Sequence, residues 1–396
     1  MKNTALMKVI KREFGRIAGN KAYYILTVFL PVVLFVFLSL IYLNGVVREI
    51  PVAVLDEDHS ALSASYIRFI ESTGSLKILK YEASQDEMKK DFMDGNIYGC
   101  FCIPKDMESN LKKGKCVTVT IYNNTTNLIT GNTLLKDAAT ITKTFSGGVL
   151  LKKFRSKGLM EEQAMDLINP VKVETQSMYN SNYNYLNYLI PGLLPATFQM
   201  IIMLIAVLEF SSEFAHNTFE ELMSAADFNI FIAVAGKSIP HISLHIATAI
   251  GIIGILYPLF NVAIEGSVLI TFLFFILFIF ASFFFGMAIS VLTKNTFFAT
   301  EAALFINTPA FIFSGFVYPL WAMPQVHSVY AFIMPFTHFM NGFLKIAFMK
   351  TPLSDLKGEI LGLSLFITLS LVVICTSLWI RKKKIMGNKE ITLNEI

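Results

Sequence analysis

Six stretches of this chain are long and apolar enough to cross a lipid bilayer, and that limits its fold more than any other feature. A hydrocarbon core of about 30 Å needs roughly 20 apolar residues in a helix. Residues 22–43 and 188–208 carry no Asp, Glu, Lys or Arg. Residues 238–264 and 266–293 follow, parted by Glu265, and 360–380 form the last run. The uncharged stretch 302–344 is too long for one crossing. Charged residues make up 16% of the whole, against about 25% in soluble domains. The deficit spares residues 44–187, so the sequence reads as one polar domain inserted into a membrane body.

Lys8, Lys11, Arg12, Arg16 and Lys21 precede the first run, as in a secretory leader. That run exceeds a leader's apolar core and no small-residue cleavage site follows it, so the expectation is a retained anchor. Basic residues mark the cytoplasmic ends of spans. "MKVIKREFGRIAGNK" and "RKKKIMGNK" are both basic, which puts the segments 1–21 and 381–396 in the cytoplasm. Residues 44–187 are then extracytoplasmic, and 211–226, between spans two and three, are cytoplasmic.

The polar domain alternates strands and helices. "IPVAVLD", "LKILKYEA", "IYGCFCIP" and "VTVTIYNN" read as strands. "SALSASYIRFIEST", with Ser60 as N-cap, and "SQDEMKKDFMDGN" read as helices. Residues 128–168 are helical with a break near "SGG" at 146–148, and "VKVETQSMY" returns as a strand. The expectation is an α/β domain with a mixed sheet. A bridge from Cys116 to Cys100 or Cys102 and free buried thiols both fit.

Catalytic and metal signals are weak throughout. "LDEDHS" at 55–60 gathers acids and a histidine, but a charged strand-to-helix turn explains it better. His241 and His245 share a helix face without a third ligand at a suitable offset, so the expectation is inter-helix hydrogen bonding by buried imidazoles and no metal. "AGKSIP" contains Gly-Lys-Ser but has Phe231 where a phosphate loop needs glycine. Lys237 instead marks the start of the third span. Paired carboxylates within the spans and nucleophile–base sets are missing, which argues against an intramembrane enzyme, and no element addresses nucleic acid.

Two apolar regions are interrupted. Pro191, Gly192 and Pro195 open the second span either as an entry loop or as a kinked helix lining a path. Gly315, Pro319, Pro324 and Pro335 break the segment 315–344, too apolar for water and too broken to cross. A re-entrant hairpin satisfies both conditions. Between spans two and three, "SSEFAHNTFEELMSA" places Glu209, Glu213, His216, Glu220 and Asp227 on one helical stripe. Phe214, Thr218, Leu222 and Ala225 line another, with Phe219 and Met223 beside it. Helices lying on lipid usually present Lys and Arg; an acidic face suits a groove on another protein.

On these residues the chain resembles permease subunits of bacterial ATP-binding-cassette exporters of the type-2 class. Their coupling-helix motif runs Glu-Lys/Arg-Glu-x-Gly-Thr-x-Glu-x-Leu. Glu213, Thr218, Glu220 and Leu222 match it and Gly236-Lys237 resembles the following Gly-Lys, whereas Ala215 and Asn217 depart. "VAVLDEDHSALS" resembles the start of the family's outer domain. Ser314, Gly315, Pro319, Met323, Pro324 and Pro335 follow a later family pattern, with Lys345 at a position often held by arginine.

The resemblance implies a six-span membrane α-helical bundle plus hairpin, with an extracytoplasmic α/β domain, in the bacterial plasma membrane. It implies that residues 1–21 form an amphipathic elbow helix. Its partners would be cytoplasmic ATPase subunits and a second permease subunit, identical or paralogous; a periplasmic adaptor is left open. ATP and Mg would sit on the ATPase, with no cofactor on this chain. Glu213, Phe214, Thr218, Glu220, Leu222 and Met223 would contact that ATPase. Few charges within the spans favour an apolar or amphiphilic cargo. The alternative is a membrane transmitter that moves an outer binding partner without passing substrate.

Overall fold

The computed structural model describes residues 2–176, 178–180 and 183–394. The side chains of residues 1–3 and 385–394 lie outside that description, and with them most of the basic tail. The chain divides into two compact units, Met1–Gly45 with Met178–Ile396, and Val46–Ser177.

The helical unit begins with α1 (Lys2–Gly19). Next come α2 (Lys21–Tyr24), a wide π turn at Ile25–Phe29, and α3 (Leu30–Ile41), which together make one apolar helix, Lys21–Ile41. Pro31 explains the widened turn: without an N–H it leaves a carbonyl one turn earlier unsatisfied. Thr248 Oγ1 donates to the carbonyl oxygen of Thr27 at 3.1 Å and fills that need.

The second unit follows in sequence: β1 (Ile50–Asp56), α4 (Ala61–Glu71), β2 (Leu76–Tyr81), α5 (Gln85–Met93) and β3 (Gly99–Ile103). It ends with α6 (Met107–Lys112), β4 (Thr120–Asn123), α7 (Leu128–Ser156) and α8 (Glu161–Ile168). The sheet order is β2-β1-β3-β4, with β1 parallel to both neighbours and β3–β4 antiparallel. Alternation along β1 and β3 sorts the core. Val52, Val54, Phe101 and Ile103 face Tyr66 and Ile70 of α4 and Leu134, Ile141 and Phe145 of α7. Ala53, Leu55 and Cys100 face Met88 of α5.

In the turn after β1, Asp56 Oδ1 accepts from the N–H groups of Asp58 and His59, at 3.0 and 3.1 Å. Ser60 caps α4 as a reciprocal capping box with Ser63. All four cysteines are free thiols. Two expectations are corrected. Helix α7 runs unbroken through Ser146-Gly147-Gly148, because Phe145 and Val149 on either side pack into the core. Residues 171–176 form no strand; Val171 and Val173 are exposed, and the edge strands β2 and β4 pair only with β1 and β3.

The helical unit resumes with α9 (Tyr185–Ala206), α10 (Leu208–Ala215), α11 (Phe219–Ala225) and α12 (Ile230–Gly251). A π turn at Ile252–Leu256 joins α12 to α13 (Tyr257–Leu259). Then come α14 (Val268–Leu292), α15 (Thr296–Phe313), α16 (Gln325–Phe332), α17 (Pro335–Ala347) and α18 (Lys357–Asn394). Among the described residues six helices are long and apolar enough to cross a membrane: Lys21–Ile41, Tyr185–Ala215, Ile230–Leu259, Val268–Leu292, Thr296–Phe313 and Leu353–Lys384.

Helix α14 is the hub, packed on α9, α10, α12, α15, α17 and α18. Small residues let its neighbours approach, as in many membrane bundles. A Cβ on Gly286 would lie 2.8 Å from Ala206 Cβ and 3.2 Å from the Met203 backbone. One turn of aromatic packing fixes α17 against it, with Phe278 and Phe339 stacked at 3.9 Å. Gln199 of α9 donates to Asn307 of α15 at 2.7 Å, a polar tie inside the bundle.

Filling the Gly286 contact tests this packing. Gly286→Leu must separate two backbones, and overpacking costs about 1–3 kcal/mol or more, so the purified protein should melt lower in detergent. Gly251→Ala, where a Cβ meets nothing within 4 Å, should leave the melting temperature unchanged or raised.

Candidate functional site

The segment between the second and third apolar helices is not one amphipathic helix. It is α10 and α11, parted by a tight turn. Helix α10 ends in a Schellman arrangement: Thr218 N–H donates to the Glu213 carbonyl at 2.9 Å, and Asn217 N–H donates to that of Phe214 at 3.4 Å. Asn217 takes the left-handed conformation at φ 59°, where glycine is favoured and asparagine is the next best tolerated residue. The residue standing in place of the motif's glycine therefore meets the same backbone demand. Helix α11 ends the same way, with Phe228 N–H donating to the Met223 carbonyl at 2.7 Å.

The turn reverses the side chains. Glu209 and Glu213 of the expected acidic stripe point inward and are buried, as are Phe219, Leu222 and Met223. Phe214 is half-buried beneath Arg381, whose guanidinium carbon lies 3.9 Å from the ring centroid. The apolar residues expected to enter another protein are thus packed into this chain's own core. His216, Asn217, Glu220, Glu221 and Ser224 remain exposed.

Glu213 is the centre of a buried charge cluster. Arg12 of α1 grips it with both nitrogens, at 2.7 and 2.9 Å. Arg16 donates to it at 3.1 Å and to Ser212 Oγ at 2.9 Å. Thr218 Oγ1 donates to the same carboxylate. From α12, Lys237 Nζ donates to Glu13 at 2.7 Å and to Glu213 at 3.1 Å, and lies 3.4 Å from Glu209. His241 Nε2 sits 3.0 Å from Glu209 Oε1, without the alignment of a hydrogen bond. Lys237, Glu13, Glu209, Glu213 and His241 have essentially no exposed surface.

Gly236 makes this possible: a Cβ there would lie 2.5 Å from Val9 Cγ1. The Gly-Lys pair therefore lets α1 lie against α12 and sends the next side chain into the cluster. Burial alone would raise the pKa of Glu13, but His241, Lys237 and Arg16 facing it hold the carboxyl below the usual carboxylate range. Three acidic side chains, Glu13, Glu209 and Glu213, meet three basic ones, Arg12, Arg16 and Lys237. Their charges cancel before His241 is counted.

Ligand atoms of Glu13, Glu209 and His241 lie within 4.8 Å of one another, a spacing that could hold a metal ion. Lys237 Nζ already fills the position between the two carboxylates and supplies the charge a cation would bring. His245 reaches no hydrogen-bond partner and packs edge-on against Phe198, with centroids 5.7 Å apart.

Sequence reasoning placed Lys237 at the entrance of the third span. The helix instead starts at Ile230, and Lys237 lies inside it because Glu13, from a helix more than 200 residues away, neutralises it. The adjacency of Gly236 and Lys237 was the available signal.

The other singled-out residues form a separate region. Pro191 and Pro195 lie within the continuous helix α9, which settles the choice in favour of a helix over an entry loop. A Cβ on Gly192 would lie 2.4 Å from Phe316 Cε1, so this glycine receives the ring that follows Gly315. Gly315 itself has φ 88°. Pro319 and Pro324 precede the short turn Leu320–Ala322 and α16, and Pro335 opens α17. The prolines of 315–344 thus start helices, and Gly192 and Gly315 meet around Phe316.

Removing one member of a buried ion pair costs about 3–5 kcal/mol, because its partner is left charged and uncompensated. Lys237→Met should lower unfolding stability by that order, and Glu13→Leu likewise. The double variant should lose much less than the sum in a thermal or denaturant unfolding cycle. Because the Glu13 pKa is depressed in the folded state, its stabilising effect is complete above the ordinary carboxylate range and is lost progressively as pH falls from that range toward the lower folded-state value. Unfolding measured against pH should show Glu13→Gln flattening the acid limb.

Residues 21–381 match the family described as "ABC-2 family transporter protein". Over 332 residues, 84% of the chain, it is 23% identical to "ABC transporter G family member 20" of Dictyostelium discoideum, covering 44% of that protein. Over 172 residues, 43% of the chain, it is 26% identical to "Probable multidrug ABC transporter permease YbhS" of Escherichia coli (strain K12), covering 45% of it. The chain thus spans less than half the length of these relatives. With six membrane-length apolar helices and a family match across nearly its whole length, this chain is a multi-pass membrane protein belonging to the ABC-2 transporter family.

Proposed function

We propose that the chain is the transmembrane subunit of an ATP-driven exporter, and that α10–α11 is the joint at which a separate ATPase pushes on it. The observation carrying this reading is the two-sided build of α11. Its underside, Phe219, Leu222 and Met223, is locked into the bundle, while Glu220, Glu221 and Ser224 face outward. A helix lying on lipid would turn its apolar side to the membrane; here that side is already occupied. What remains is a short polar surface held against α1, α10 and α12 by its buried apolar side, suited to receiving force rather than anchoring.

On this reading the joint faces the cytoplasm, with α1 as an elbow helix beside it. The basic residues of α1, and Arg381 to Lys384 at the end of the last apolar helix, lie where the positive-inside rule expects them. The α/β domain is then extracytoplasmic, and the membrane is a bacterial plasma membrane. Two such subunits, identical or paralogous, form the path, and ATP and Mg bind the partner ATPase. An apolar or amphiphilic cargo suits spans with few unpaired charges, and the word "multidrug" in one relative's name agrees. Gly192, Phe316 and Gly315 would form a gate at the opposite end, with 315–344 dipping back into the membrane.

The contact should depend on exposed polar residues and not on the buried apolar ones. Glu221→Lys combined with Ser224→Trp should cut co-purification of the ATPase by about tenfold with an unchanged melting temperature. Leu222→Asp should lower the melting temperature itself. Undiminished co-purification with the first pair would remove the joint from this surface. Cargo uptake into inverted vesicles containing both subunits tests transport directly; ATP hydrolysis without uptake of any apolar cargo would favour a transmitter.

A further inference from the structure

The α/β domain holds a groove that no part of the coupling scheme uses. It lies between α4, α6 and α7 and has a volume of about 470 Å³, within the range of about 300–1,000 Å³ typical of small-molecule sites. Its floor is Leu62, Phe69, Leu111, Phe145 and Val149. A narrower extension of about 170 Å³ continues past Phe145 toward Tyr66, Met107 and Val117. Tyr66 and Thr142 hydrogen-bond to each other at 2.7 Å, so the polar atoms at its inner end are already satisfied.

The rim is cationic. Lys112, Lys152 and Lys153 border the main groove and Lys115 borders the extension. Glu108 also lines the groove, and Lys112 pairs with it at 2.7 Å, so those two charges offset each other. Among the described residues no carboxylate pairs with Lys115, Lys152 or Lys153. Gly148 lies at the mouth of the groove. It sits inside α7 with ordinary helical backbone, where glycine costs about 1 kcal/mol relative to alanine. A Cβ there would meet nothing within 4 Å, and Gly148 lines the groove. The local cost of this glycine coincides with open space at the mouth.

We propose that this groove binds an amphiphile with one aliphatic chain and an anionic head group. The chain lies on the Phe69–Leu111–Phe145–Val149 floor, and the head group meets Lys152 and Lys153. A hydrophilic anion would leave the floor wet, and an uncharged lipid would leave the lysines without a counter-charge. The assignment rests on the α/β domain alone and stands whether or not the chain transports its ligand. A free fatty acid and an acyl chain of an anionic phospholipid share this chemistry.

The test uses the full chain in phosphatidylcholine nanodiscs with three photoreactive probes: diazirine-palmitate, a phosphatidylglycerol bearing the same diazirine-palmitoyl chain, and diazirine-hexadecanol. Adducts are mapped by peptide mass spectrometry. Palmitate, phosphatidylglycerol or both should label peptides spanning Leu111 or 145–153, with hexadecanol weaker by about tenfold. Which anionic probe labels identifies the source. Gly148→Phe, which fills the mouth, and Lys152→Glu with Lys153→Glu should each reduce labelling by about tenfold, whereas Gly148→Ala should retain it. Melting temperatures establish that the variants are folded, and the charge-reversed pair, on the surface, keeps the test valid if Gly148→Phe is not. Labelling confined to the apolar helices, equal labelling by hexadecanol, or domain labelling indifferent to the folded variants would overturn the proposal.

Discussion

Everything distinctive about the helical unit depends on a set of opposite charges being held together without water. Glu13, Glu209, Glu213, Lys237 and His241 are closed to solvent, and the partly exposed Arg12 and Arg16 cover them from α1. An unpaired charge in such a place is severely unfavourable, so each of the contributing segments needs the others. Helix α1 supplies Arg12, Glu13 and Arg16; the end of the second apolar helix supplies Glu209 and Glu213; α12 supplies Lys237 and His241. The cluster joins segments far apart in sequence with little tolerance for sliding, because Arg12 and Glu213 meet through two parallel hydrogen bonds, a geometry that fixes orientation as well as distance.

This constraint explains the local conformations around it. Gly236 is small because Val9 presses against it. Asn217 adopts a left-handed backbone so that α10 can stop and Thr218 can reach back to Glu213. Helix α11 then lies with its apolar side against the bundle and its acidic side outward. On the proposed reading a push on α11 reaches α1 and α12 together, and the hub helix α14, in contact with both α10 and α12, carries it to the rest of the bundle.

The sequence revealed what depends on length and local pattern. Uncharged runs located the apolar helices, a buried apolar run located β1, and period-two alternation located β4. The serine cap at Ser60 was legible from residue type, whereas the asparagine cap at Asn229 was not singled out. What failed depended on distant partners. Lys237 read as a span boundary because a lone lysine in lipid is costly; its neutralising partners lie outside any sequence window. Glu213 read as outward-facing because an uninterrupted helix was assumed, and the inward turn follows from Asn217 and from Arg12, 201 positions away. The glycine pair at 147–148 read as a break, but packing of Phe145 and Val149 outweighs the local cost. Residues 171–176 have strand-forming composition but join neither edge strand of the sheet.

The central claim is that α1 and the α10–α11 turn form one rigid body through their buried charges. The most direct measurement is a pulsed electron–electron distance between spin labels at Lys11→Cys and Ala215→Cys, two exposed positions outside the proposed docking surface, in a chain with its native cysteines replaced. A single narrow distance should appear, and it should be unchanged when the partner ATPase and nucleotide are added. A broad distribution, or a shift of that distance on adding nucleotide, would contradict the account.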